Sequence, residues 1–453
     1  MKRLSMLYVV LFILFGNTGC KSEYQRITER TQSFFARSLS GETVQCTDST
    51  FLPLEDIDKY RDAVWQSWIV ANQNLEEPKL DALAPLDSSR KYKWELPEEL
   101  EPDATMPFYW GTKGEMKEGE GYPLFLYIHG SGRKAKEWTN GLRICSGLDD
   151  APSLYFIPQI PNEGQYYRWW QKAKQFAWER LLRQAFISKE INPNRIYFFG
   201  ISEGGYGSQR LASYYADYLA GAGPMAAGGL IRNAPAENCR NIAFSLRTGD
   251  QDKGFCRNIL TEYISSEFDR LQGLYPQGFV HNIELIPGFG HHIDYKPTTP
   301  WLKQFVRNPY PKSVMWENFE MDGIYRKGFY NLAVLQRSND DTSSRTFYEM
   351  NIKDNHIELK VDLVTYDVLE KDPKWGLPLK FAKSFVPATK GKVLVYLNNN
   401  LVDLSKELTL TVNGREAFKG MVKPELRHLV NSCATFYDSL RLFPAAIEVN
   451  IAE

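Results

Sequence analysis

The sequence predicts a doubly wound, mainly parallel α/β sheet followed by an all-β, sandwich-like domain. Three observations carry this. Between residues 104 and 300 short apolar runs alternate with helix-period segments, the pattern of a parallel sheet covered on both faces. After about residue 312 the period shortens to two, and Asn413-Gly414 supplies a strong hairpin signal. The length of 453 residues exceeds what one core needs and favours two domains.

The elements follow in order. Residues 1–19 form a basic start (Lys2, Arg3), the apolar run Met6 to Phe15 and a small-residue stretch before Cys20. Ten apolar residues are too few to span a bilayer but suit a signal-peptide core. Gly19-Cys20 resembles a bacterial lipobox, although Asn17 stands where a branched residue is usual. The expectation is a lipidated Cys20 and an outer-membrane lipoprotein on its periplasmic or cell-surface face; Lys21 rather than Asp after it disfavours inner-membrane retention. Residues 20–55 read as a polar tether. Asp56 to Leu75 has helical spacing, with Tyr60, Val64, Trp65, Trp68 and Ile69 on one side. Glu76 to Pro102, rich in Pro and charge, reads as surface loop.

Strands are predicted at Pro107–Trp110, Pro123–Ile128, Tyr155–Pro158, Arg195–Phe199, Asn241–Leu246 and Asn282–Ile286. Helices are predicted at Lys172–Phe186 and Tyr206–Leu219. The second domain, 313–453, is marked by strands at Asn355–Val364, Lys392–Leu397, Leu408–Val412 and Ile447–Ile451. It contributes no catalytic residue, and His356 and His428 read as surface or packing histidines.

Lys+Arg 54 against Asp+Glu 55 gives a net charge of −1, which excludes nucleic-acid binding through bulk charge. Beyond Cys20 five cysteines remain, an odd number in a chain expected to be exported. A Cys239–Cys256 bridge would brace the segment between them. No Cys/His spacing suggests a metal, and no cofactor is expected.

The chemistry concentrates in four segments. Arg195-Ile-Tyr-Phe-Phe199 runs into Gly200-Ile-Ser202-Glu203-Gly204-Gly205 and then a helix. Gly-x-Ser-x-Gly between strand and helix is a nucleophile elbow, in which small residues permit a sharp, strained turn that exposes the Ser. Upstream, Leu124–Ile128 ends in His129-Gly-Ser131-Gly132, where the backbone N–H of Ser131, with that of Glu203, would face a developing oxyanion. His129 precedes the nucleophile and reads as shaping the turn. After the strand Ile242–Leu246 two aspartates compete, and a Gly-x-x-Asp turn favours Asp252 over Asp250. After Ile283–Ile286 two histidines compete, and Gly-x-Gly-His favours His291 over His292. The order Ser202, Asp252, His291 completes a nucleophile, an orienting acid and a base.

The segments "YPLFLYIHGSG", "NPNRIYFFGISEGGYGS", "RTGDQDKGF" and "PGFGHHIDY" resemble the α/β-hydrolase esterases of the polyhydroxybutyrate-depolymerase, feruloyl-esterase and dienelactone-hydrolase-like type. The resemblance implies an α/β-hydrolase catalytic domain over 56–312, N-terminal helix included, and a serine hydrolase acting on carboxylic esters. Glu203 departs from the neutral residue usual after the nucleophile. Its carboxylate would raise the His pKa or disfavour anionic substrates, or else point away to solvent.

The loop Pro161–Trp170 leaves the carboxyl end of a strand, where open α/β sheets bind ligands. Tyr166, Tyr167, Trp169 and Trp170 offer faces for sugar or phenolic rings. The expected partner is an ester-bearing glycan or a small-molecule ester, decorated with acetyl or feruloyl-type groups. A peptidase on the same fold and an inactive glycan-binding lipoprotein are the alternatives.

Overall fold

The structure is a computed structural model, and it describes residues 23–451. The expected signal segment and Cys20 lie outside the described residues.

The chain opens with two helices, α1 (Glu23–Leu39) and α2 (Ile57–Asn74). The tether reading of 20–55 therefore fails over α1. Its polar composition hides an amphipathic face: Ile27 and Phe35 are buried, Phe35 meets Trp68 edge-on, and Thr31 hydrogen-bonds Ser67 at 2.8 Å.

The central sheet comprises β1 (Tyr92–Glu95), β2 (Thr105–Lys113), β3 (Tyr122–Ile128), β4 (Ser153–Pro158), β5 (Ile191–Ile201), β6 (Gly221–Met225), β7 (Ala243–Gly249) and β8 (His281–Ile286). Their spatial order is β1-β2-β4-β3-β5-β6-β7-β8, with β2 antiparallel to both neighbours and β3 to β8 parallel. β1 lies inside the segment predicted as loop: four residues are too short for periodicity, yet Trp94 is buried against Phe108 and Phe156.

Between the strands run α3 (Lys134–Ser146), α4 (Lys172–Ile187), α5 (Glu203–Tyr215), α6 (Arg257–Leu274) and α7 (Thr298–Leu302). Strand residues sort by parity onto two cores. Leu124, Leu126, Phe156, Ile196 and Phe198 face α4, α5 and α6. Phe125, Tyr127, Tyr155, Tyr197 and Phe199 face α3 and α7. Such continuous apolar strands are what a sheet buried on both sides requires. Each fully buried large side chain contributes about 1.5–3 kcal/mol relative to exposure.

The remainder forms two further sheets from β9 (Ser313–Asn318), β10 (Gly328–Phe329), β11 (Leu332–Gln336), β12 (Arg345–Lys353), β13 (His356–Lys371), β14 (Pro378–Pro387), β15 (Lys392–Leu397), β16 (Leu408–Val412), β17 (Arg415–Gly420) and β18 (Ala445–Asn450). One runs β17-β16-β13-β12-β9 with β14 on β13, and the other β10-β11-β15-β18. Asn413 and Gly414 both take positive φ (48° and 80°), the requirement of a two-residue primed hairpin, and join β16 to β17. This region is not purely β. A helix, α8 (Leu426–Phe436), packs Leu426, Leu429 and Val430 into a cluster with α1 and α2.

Cys239 and Cys256 are both buried free thiols, as are Cys145 and Cys433; Cys46 is free and half-buried. The anticipated Cys239–Cys256 bridge is absent: Cys256 instead packs with Leu260 and Leu379, and Cys239 lies in the main core.

Candidate active site

β5 ends at Ile201 and α5 starts at Glu203, so Ser202 alone makes the turn between strand and helix. It holds φ 58° and ψ −114°, a conformation costly for a residue with a Cβ. The glycines around it are required by contact. A Cβ on Gly204 would sit 1.9 Å from the Ile128 carbonyl oxygen, and one on Gly200 2.5 Å from the Gly204 oxygen. The elbow is thus pressed onto the end of β3, as its sequence demands.

Ser202 Oγ lies 3.0 Å from His291 Nε2, and His291 Nδ1 lies 2.6 Å from Asp252 Oδ2. The competing residues do other things. Asp250 accepts the Gly288 N–H at 2.9 Å and braces the turn after β8. His292 is exposed, its ring 6.1 Å from that of His291. The Asp252 carboxylate is buried, its second oxygen bound by Arg257 Nη1 at 3.0 Å. A buried, oriented acceptor fixes the imidazole with Nδ1–H toward the acid and Nε2 free to take the serine proton.

Ser131 sits in the turn after β3, and its N–H has no acceptor among the described residues. Glu203 is the first residue of α5, where an N–H has no intrahelical partner. His129 is fully buried. The Ile160 N–H donates to its Nε2 at 3.1 Å, which leaves Nδ1–H to donate to Gly130 O at 2.8 Å. Burial lowers its pKa to about 4, so it stays neutral and shapes the turn.

The aromatic loop divides. Tyr167 (6% exposed) donates its hydroxyl to Gly130 O at 2.7 Å, and Trp169 (0%) donates its indole N–H to His129 O at 2.8 Å. Both hold the turn that carries Ser131 and present no face to a ligand. Tyr166 lies outside the site cavities, with the Lys174 ammonium over its ring. Of the four aromatics only Trp170 lines the space beside Ser202. Aromatics in a strand-end loop served the loop's own packing, which their spacing did not reveal.

Two cavities meet at Ser202 and Ser131. One, about 400 Å³, runs past His291, His292, Glu137, Asn140 and Tyr295. The other, about 410 Å³, is walled by Trp170, Glu203, Tyr206, Arg210, Arg257 and Leu377. Both fall in the range of small-molecule sites. Glu203 does not point to solvent: its side chain is 12% exposed and its Oε1 lies 3.6 Å from Arg168 Nη1. Burial raises its pKa, against the pull of Arg168, Arg210 and Arg257.

Sequence reasoning missed Arg210, although Glu203, Tyr206 and Arg210 share one helix face by their i, i+3, i+7 spacing. It also missed Leu377, which arrives from the distant β13–β14 hairpin.

No protein-family model matches the chain, and no curated protein matches it. Solved structures similar to it include a thermostable esterase, at 18% identity over 48% of this chain and 63% of that one, TM-score 0.38. A ferulic acid esterase from the anaerobic fungus Anaeromyces mucronatus is 13% identical over 51% and 92%, TM-score 0.34. A poly(3-hydroxybutyrate) depolymerase from Bordetella parapertussis is 15% identical over 45% and 84%, TM-score 0.34. The strand order, the elbow and the chain order of Ser202, Asp252 and His291 are those of an α/β-hydrolase fold.

Proposed function

We propose that this chain is a serine esterase that removes ester-linked decorations, of acetyl or feruloyl type, from glycans. The observation that carries the reading is the relay Ser202 Oγ–His291 Nε2 (3.0 Å) and His291 Nδ1–Asp252 Oδ2 (2.6 Å) behind a strained elbow. Ser202 Oγ attacks the ester carbonyl as its proton passes to His291 Nε2. The N–H groups of Ser131 and Glu203 receive the oxyanion, and His291 returns the proton to the leaving alcohol. Water then repeats the sequence on the acyl-enzyme and frees the acid. Two cavities meeting at Ser202 give separate room to the acyl and alcohol halves. The glycan assignment rests on Trp170 and on an exposed Phe255–Trp375 pair near the same cavity, together with the export signal and lipid anchor expected from the sequence around Cys20, which would put the chain in the outer membrane, facing exported polymers.

The test compares wild type with Ser202→Ala on p-nitrophenyl acetate and on a peptide p-nitroanilide. Ester turnover lost in the variant, with the anilide uncut by either, is the expected result. Anilide cleavage would replace the esterase by a peptidase. Absence of turnover and of fluorophosphonate labelling would end the enzymatic reading. Purified enzyme that hydrolyses simple esters but frees no acyl group from any decorated glycan would remove the glycan assignment alone.

A further inference from the structure

The 410 Å³ cavity carries an unusual charge set. Arg257 is spoken for by Asp252, and Arg168 approaches Glu203 only at 3.6 Å. Arg210 has no hydrogen-bond or ion-pair partner among the described residues. Its guanidinium carbon lies over Trp170, 3.8 Å from the ring centroid. A half-buried cation left without an anion is costly unless something supplies one. Burial pulls its pKa down to about 10, with Glu203 opposing, so it remains charged at neutral pH. Three arginines against Asp252 and Glu203 leave one positive charge in excess. A monoanion balances that count and a dianion overshoots it.

Resting on the esterase reading above, we propose that the substrate half filling this cavity bears a carboxylate, as an acidic sugar does. The carboxylate meets Arg210 and Arg168. The planar guanidinium is suited to two-point carboxylate binding, and its cation–π contact with Trp170 holds it in the wall before substrate arrives.

The matched pair is a mono-O-acetylated methyl glucuronoside and the same acetyl ester of methyl glucoside, which differ by a carboxylate against a CH₂OH. Wild type is expected to prefer the acid by roughly tenfold or more in kcat/KM, the worth of one charge-assisted contact. Arg210→Gln should bring that ratio toward one, and raised salt should shrink it in wild type. If Arg210→Gln proves unfolded by its melting curve, Arg168→Gln carries the same comparison. Turnover of p-nitrophenyl acetate without preference for the acidic sugar, or a preference untouched by both variants, overturns the carboxylate subsite and leaves the esterase standing. Failure on every ester, p-nitrophenyl acetate included, removes the esterase reading and this inference with it.

Discussion

Arg441 Nη1 lies 2.6 Å from Asp217 Oδ2, both side chains fully buried although 224 residues separate them in the chain. Arg326 joins the same carboxylate at 3.0 Å, and Asp438 sits between Arg441 (2.9 Å) and Arg307 (2.8 Å). Asp217 follows α5, the helix that the elbow begins, whereas Asp438 and Arg441 follow α8. The cluster therefore ties the end of the chain to the sheet that holds Ser202. Apolar contacts run alongside it, including Tyr214 against Phe319 at 5.5 Å.

Arg441 is shared by two buried carboxylates, Asp217, which keeps Arg326, and Asp438, which keeps Arg307. Removing a cation common to both, Arg441→Met should lower the unfolding free energy by about 3–5 kcal/mol, read from denaturant midpoints. Acid should act through the same cluster. Burial alone raises the Asp438 carboxyl, but Arg307 and Arg441 more than reverse this and leave it below its ordinary value. A depressed native pKa contributes stability above the unfolded carboxylate pKa that is lost as pH falls through the native one. The stability of wild type should fall below about pH 4 more steeply than that of Asp438→Asn. Equal slopes would show that the cluster does not govern acid unfolding.

Asp252 and Asp250 are two residues apart and should differ sharply on substitution. Asp252→Asn keeps the shape but removes the charge that holds His291, so kcat should fall roughly a thousandfold or more. Asp250→Asn retains an oxygen for the Gly288 N–H and should stay within about threefold of wild type. His291→Ala against His292→Ala provides the same contrast, read as p-nitrophenyl acetate kinetics. A large loss at Asp250 or His292 would reassign the relay.

What the sequence made legible follows from where its signals are local. Strands buried on both faces announce themselves as unbroken apolar runs, and the elbow is a contiguous motif, so the sheet and Ser202 were readable. The pairing of Asp252 with His291 was readable only as a preference, because a turn motif ranks neighbours without measuring distance. β1 and α1 escaped because their burial depends on distant partners, Trp94 on Phe156 and Phe35 on Trp68. The aromatic loop misled for a related reason: Tyr167 and Trp169 look like exposed stacking surfaces until the turn they support is seen.

The elbow's strain should separate stability from activity. Ser202→Gly removes the Cβ that makes φ 58° costly and should gain about 1 kcal/mol or more while ester hydrolysis disappears. Gly204→Ala does the reverse. Its Cβ would meet the Ile128 oxygen at 1.9 Å, so β3 or α5 must move and both melting temperature and turnover should drop. If Ser202→Gly melts lower than wild type, the strain is offset by contacts of the serine itself.

The hairpin of β13 and β14 should act on selectivity without touching the chemistry. Tyr263 on α6 donates to Glu370 at 2.7 Å, and Leu379 is buried against Cys256 and Leu260, which brings Leu377 to the wall of the Trp170 cavity. At its tip Trp375 (51% exposed) stands 5.3 Å from Phe255 (55% exposed), a pair of rings that touch each other and remain open to solvent. The expected role of this pair is contact with a ligand extending out of the cavity. Trp375→Ala should raise KM for a feruloylated oligosaccharide by about two- to tenfold, the worth of one aromatic contact, and leave kcat and the kinetics of p-nitrophenyl acetate within about twofold. A matching loss on the small ester would instead make the hairpin a support for Arg257, and hence for Asp252, since Arg257 lies over the Phe255 ring at 5.3 Å.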